Sequence, residues 1–149
     1  VQKLIAAHKW VEYTPEVEQK ALAQGKVVLI DFTAVWCINC KAMEAQLLSQ
    51  NSVLRAMTAP DVLTLKADIT SSTAPGKAKL ASLNEVSIPV WAIQGPGVTE
   101  PIKLYFGTTA SEVIGAIERC VDQDLREADA RVHRADWEGC AGGDGGLDS

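Results

Sequence analysis

Six consecutive residues, Val27-Val28-Leu29-Ile30-Asp31-Phe32, restrict the fold more than any other feature of this 149-residue chain. Both alternating faces of the run are apolar except at Asp31, which is the pattern of a central strand covered by helices on each side. A few residues on, Cys40, Met43 and Leu47 recur at helical spacing among the good helix formers Ala42, Ala45, Gln46 and Leu48. Cys37 and Cys40 therefore stand where a central strand turns into a helix, and an α/β architecture follows.

The flanking elements agree. Thr14-Pro15-Glu16 opens a helix: Thr14 can cap, Pro15 suits the first helical position, and Glu16 and Glu18 favour the positive helix end. Gly25 suits a left-handed stop. A second strand is expected over Val62 to Ala67, then a helix from about Pro75 to Leu83. Val90 to Ile93 and Ile102 to Phe106 read as an antiparallel hairpin around Gly95-Pro96-Gly97. The last helix carries Val113, Ile114, Ile117, Cys120, Val121 and Leu125 on one stripe. The order is β-α-β-α-β-β-α, led by a helix and a short strand around Trp10 to Tyr13. This places one domain over residues 1–125, N-terminal extension included, and a C-terminal extension over 126–149, glycine-rich and mobile from about Gly139.

Charge and hydropathy exclude some functions. With 14 Lys and Arg against 19 Asp and Glu, the formal charge is -5 and no basic cluster could track a phosphate backbone. Nucleic acid is not an expected partner. No apolar run approaches the roughly 20 residues that cross a bilayer. Val1 is not followed by a basic n-region and an apolar h-region, so a signal peptide is absent, already removed, or outside the sequence given.

Four cysteines at 37, 40, 120 and 140 are too few and too uneven for a disulfide-stapled miniprotein. The one close pair, Cys37-Ile38-Asn39-Cys40, suits either zinc or dithiol chemistry. A structural zinc site takes four ligands, generally as two close pairs, and the isolated Cys120, His133 and Cys140 have the wrong spacing. A redox dithiol needs a helix N-terminus to stabilise the first thiolate, a second thiol within one turn, and exposure of the first sulfur only. The segment from Val27 to Leu48 supplies these.

Asp31-Phe32-Thr33-Ala34-Val35-Trp36-Cys37-Ile38-Asn39-Cys40-Lys41 resembles the active-site segment of the thioredoxin superfamily, and Ile88-Pro89-Val90 resembles its cis-proline segment, with Pro89 49 residues after Cys40. Asp-Phe-Thr-Ala before Trp36-Cys37, Lys41 and Glu44 after the second cysteine, and Lys66-Ala67-Asp68-Ile69-Thr70 are most similar to the C-terminal thioredoxin-like domain of the DsbD thiol:disulfide interchange family. The resemblance covers about residues 10–120. It implies a thioredoxin fold, a central mixed β-sheet flanked by helices on both faces. It also implies that Cys37 attacks a substrate disulfide, Cys40 releases the product, the Ile88–Pro89 bond is cis, and the Ile88 backbone pairs with an extended substrate segment. A trans proline at a strand start is the alternative for Pro89.

Ile38-Asn39 departs from the Gly-Pro of ordinary thioredoxins and the Pro-His of the oxidant DsbA. Without that histidine the thiolate is less stabilised and the disulfide less oxidising, which points to a reductant. Asp31, in an apolar strand, should have a raised pKa and could accept a proton from Cys40, unless it reaches water at the strand end. Glu44 shares a helix face with both cysteines and would raise their pKa values, unless it is solvated or paired with Lys41. Trp36 reads as an apolar contact surface beside the nucleophile, or else as core, and Trp91 reads as core. Cys120 reads as a buried, unreactive thiol, Cys140 is unassigned, and His8 and His133 read as surface residues.

The implied protein is a disulfide reductase acting outside the cytoplasm, in the periplasm, as a domain of a DsbD-like membrane protein or as a secreted or tethered relative. Its partners would be disulfide-bearing or dithiol proteins and a membrane electron-conducting domain. No metal, nucleotide or flavin cofactor is expected beyond the Cys37–Cys40 disulfide itself. A general cytoplasmic thioredoxin, or a binding or chaperone module with an incidental dithiol, are the alternatives.

Overall fold

The computed structural model describes residues 8–122. The elements are β1 (Val11–Glu12), α1 (Pro15–Ala23), β2 (Val27–Thr33), α2 (Ile38–Leu48), α3 (Asn51–Met57), β3 (Val62–Asp68), α4 (Pro75–Ser82), β4 (Val90–Gln94), β5 (Ile102–Tyr105) and α5 (Ala110–Cys120). The C-terminal extension, Leu125, His133 and Cys140 lie outside the described residues.

All seven residues of β2 are buried, as its two apolar faces require. The sheet runs β1-β3-β2-β4-β5. In it, β2 lies parallel to β3 and antiparallel to β4, so Asp31 stands between Lys66 on one neighbour and Trp91 on the other. One face packs Val28, Ile30 and Phe32 with Tyr13, Ala21 and Leu80, bringing in α1, α4 and the two cysteines. The other packs Val27 and Leu29 with Met43, Leu47, Val53, Trp91 and Val113, covered by α2, α3 and α5. Strand alternation puts Asp31 on this second face.

Local chemistry explains the ends of the helices. Thr14 accepts from the Val17 amide with Pro15 following, and Gly25 has φ +78° after α1. Thr109 and Glu112 form a reciprocal capping box at the start of α5.

One feature differs from the sequence expectation. The helix α3 has no signal of its own, because Gln50 at its start makes no side-chain cap; packing of Val53, Leu54 and Met57 holds it. The antiparallel hairpin of β4 and β5 around Gly95-Pro96-Gly97 is as expected, the Val98 amide donating to the Gly95 carbonyl at 3.3 Å, and the two glycines have a second reason to be there. They lie under the end of α5, where the Gly97 amide donates to the Cys120 carbonyl at 3.0 Å. A Cβ on Gly95 would run into the Cys120 carbonyl, and one on Gly97 into that of Val121.

Candidate active site

Cys37 is the N-cap of α2, with extended backbone, and its sulfur accepts from the Cys40 amide at 3.1 Å. The two cysteines form a disulfide with Cα atoms 5.3 Å apart. Cys40 is wholly buried, its sulfur 3.7 Å from the Phe32 carbonyl oxygen. Cys37 is 6% exposed as a residue against 0% for Cys40, so the first cysteine is the more accessible of the two by a small margin, with the Cys37 side chain turned back over the helix start that it caps. Its neighbours form the rim instead, with Trp36 62% and Ile38 80% exposed, which removes the core reading of Trp36.

Asp31 is 0% exposed, so the strand-end reading in which it reaches water does not hold. Among the described residues neither of its carboxylate oxygens has a hydrogen-bond partner, nor does the indole N–H of Trp91 on the neighbouring strand. Burial, and then the nearby Glu44 charge, push its pKa well above the usual carboxylate range, against an opposing pull from Lys66.

Glu44 does not pair with Lys41. Its Oε1 meets Lys66 Nζ at 2.9 Å, while Lys41 Nζ donates to the Val35 carbonyl at 2.8 Å. Lys66 also lies over the Trp10 ring, 5.1 Å from its centroid, and Trp10 meets Trp91 edge-on. His8 belongs to this corner rather than to open surface. It bonds Thr64 Oγ1 at 3.1 Å, and burial together with Lys66 lowers its pKa. An open groove of about 470 Å³ beside the active-site loop is lined by Val35, Lys41, Glu44, Lys66 and Asp68, among others.

The Ile88–Pro89 peptide is cis. Register Phe32–Val90 sets Pro89 just past the ladder, at the end of β2 from which the loop to Cys37 leaves. Ile88 packs against the cluster that includes both cysteines. Trp91 is core, as expected, yet it neighbours Asp31. Cys120 is a buried free thiol against the Ile93 carbonyl, pushed up to about 11 by burial. Sequence reasoning assigned no role to Lys66, Thr70 or Trp10. A lysine in a strand, opposite a buried aspartate, was the available signal for the first of these. No group of three or more His, Cys, Asp or Glu among the described residues could hold a metal ion, and no helix among them is long and apolar enough to cross a membrane.

A dithiol at the start of the helix after a central strand, with a cis-proline at the same end of a five-stranded mixed sheet, is the arrangement of the thioredoxin fold. A thioredoxin from Thermus thermophilus superposes with a TM-score of 0.60 at 20% identity, covering 76% of this chain and 86% of that one. The reduced DsbD C-terminal domain of Neisseria meningitidis gives 0.56 at 22%, covering 74% and 99%. A family model described as thioredoxin-like matches residues 9–96, and the chain belongs to that family. It is 39% identical over 118 residues to the thiol:disulfide interchange protein DsbD of Pseudomonas sp. (strain JR1 / K1), covering 79% of this chain and 17% of that protein. It is also 39% identical over 85 residues to DsbD of Yersinia enterocolitica, covering 56% and 14%. The chain thus spans under a fifth of the length of these relatives. It is a thioredoxin-like protein with a Cys-x-x-Cys disulfide.

Proposed function

We propose that the chain is a protein-disulfide reductant, working outside the cytoplasm as a domain of, or a relative of, a DsbD-like membrane protein. In the reduced form the Cys37 thiolate attacks one sulfur of a partner disulfide, forming a mixed disulfide and expelling a partner thiolate. Cys40 then gives up its proton, with Asp31 as acceptor, and attacks the Cys37 sulfur. This releases the second partner thiolate and closes the Cys37–Cys40 disulfide. Two electrons pass from this chain to the partner, and a separate dithiol carrier returns them; no other cofactor is required.

The observation that carries this reading is the asymmetry of the pair. The Cys37 sulfur sits at the helix N-terminus on the Cys40 amide, where a thiolate is favoured, whereas Cys40 is shut inside against Phe32. Trp36, Ile38 and the Ile88-Pro89 segment supply a partner-facing rim, and the similarity to DsbD supports the compartment and the direction of electron flow. Cys40→Ala should accumulate covalent mixed disulfides with partner proteins, and Cys37→Ala should trap none. Equal trapping by both, or trapping through Cys120 or Cys140, overturns the assignment.

A further inference from the structure

Where β2 ends at Thr33, its pairing with β3 continues for one backbone rung, the Ile69 amide donating to the Thr33 carbonyl at 2.8 Å. The next rung is made by a side chain, with the Val35 amide donating to Thr70 Oγ1 at 2.9 Å. The hydroxyl of Thr70 is spent on Asp68 Oδ1, at 2.5 Å, and the same oxygen takes the Thr70 amide at 2.9 Å. A threonine hydroxyl has one proton to donate, so this bond aims its lone pairs at Val35. From the other side, Lys41 Nζ holds the Val35 carbonyl at 2.8 Å. Both polar groups of one residue are therefore gripped, although Val35 and Trp36 are exposed. The loop's own contribution is the Cys37 amide on the Ala34 carbonyl at 3.1 Å.

We propose that Asp68, Thr70 and Lys41 are positioning residues, a clamp that fixes the Val35 peptide and so presents Trp36 and the Cys37 sulfur to protein partners in one arrangement. This rests on the reading of the chain as a protein-disulfide reductant. A folded partner has to meet Trp36 and the sulfur together, whereas a small disulfide needs the sulfur alone. Loosening the loop therefore penalises large substrates more than small ones. Hydrogen bonds from Thr70 keep Asp68 below the usual carboxylate range, in keeping with an ionised anchor.

Thr70→Val removes the hydroxyl at nearly constant shape, Thr70→Ser restores it, and Asp68→Ala frees it to rotate. Hydrogen exchange at the Val35 amide reads the clamp without reference to activity, and reduction of insulin against that of 5,5′-dithiobis(2-nitrobenzoate) reads its use. Thr70→Val should speed Val35 exchange by about fivefold or more, the scale of one hydrogen bond. It should also slow insulin reduction at least threefold more than reduction of the small disulfide. Thr70→Ser should recover both readouts, and Asp68→Ala should fall between. Unchanged Val35 exchange overturns the proposal, as do equal losses on the two substrates, which a turn that merely closes β3 would give. A parent that reduces the small disulfide but no protein disulfide defeats the reductant reading, while the exchange data still judge the clamp.

Discussion

Replacing Asp31 with asparagine turns its burial into a measurable slope. The carboxyl is shut from solvent, and burial followed by the Glu44 charge raises its pKa far above the value of about 3.9 expected in the unfolded chain. Below that unfolded value both states carry the proton, and its stabilising contribution is complete. Between the unfolded and folded values only the native state keeps the proton, so stability falls by about 1.4 kcal/mol per pH unit. Above the folded value both states are ionised and the contribution is gone. Asparagine does not titrate, so the stability of Asp31→Asn minus that of the parent should climb with this slope from about pH 4 and level off at the folded pKa. Urea unfolding of the oxidised proteins across pH 4 to 9 gives the difference without interference from the Cys37 and Cys40 thiols. Glu44→Gln should move the plateau to lower pH by removing a repelling charge, and Lys66→Met should move it higher by removing an attracting one. Parallel stability curves for parent and Asp31→Asn would show an ordinary ionised carboxylate, and the proton-acceptor role would go with them.

Thiolate absorbance should show a more acidic Cys37 in reduced Asp31→Asn and Glu44→Gln, since each removes negative charge or the means of acquiring it near the pair; unchanged or higher values in both remove these carboxylates from the site. Gly97→Ala should cost about 2 kcal/mol or more in unfolding experiments, because the new methyl meets the Val121 carbonyl at the end of α5. A loss below about 0.5 kcal/mol would mean that the loop gives way freely. Thr109→Ala should cost about 1 kcal/mol by removing half of the capping box, and an unchanged denaturation midpoint counts against that cap.

What could be read from the sequence was whatever a short stretch of chain settles by itself. The doubly apolar run over Val27 to Phe32 announced the buried central strand, and with it the cost of placing Asp31 there. Thr14 with Pro15, and the spacing from Cys37 to Leu47, marked helix starts and the position of the dithiol. Contacts between distant elements were not legible. Lys41 is close to Glu44 in sequence, yet the partner is Lys66, 22 residues away, delivered by parallel pairing of β3 with β2. The helix α3 escaped notice because nothing caps it and only packing holds it. Gly95 and Gly97 are turn residues, as they looked, but what demands glycine there is also the close approach of α5, a tertiary fact. The modest exposure of Cys37 likewise depends on how the side chain folds back over the helix it caps, which spacing does not reveal.

The direction of electron flow is the central claim, and the reduction potential of the Cys37–Cys40 couple tests it most directly. No histidine lies between the cysteines, and in the proposed mechanism Asp31 and Glu44 would both stand against negative charge on sulfur, which would favour the disulfide over the dithiol more than in a strong oxidant. Equilibration in glutathione buffers, followed by the fluorescence of Trp36 beside the pair, is expected to place the couple near the thioredoxin value of about -270 mV. A value near that of DsbA, about -120 mV, would contradict the reductant assignment and make the chain a disulfide donor.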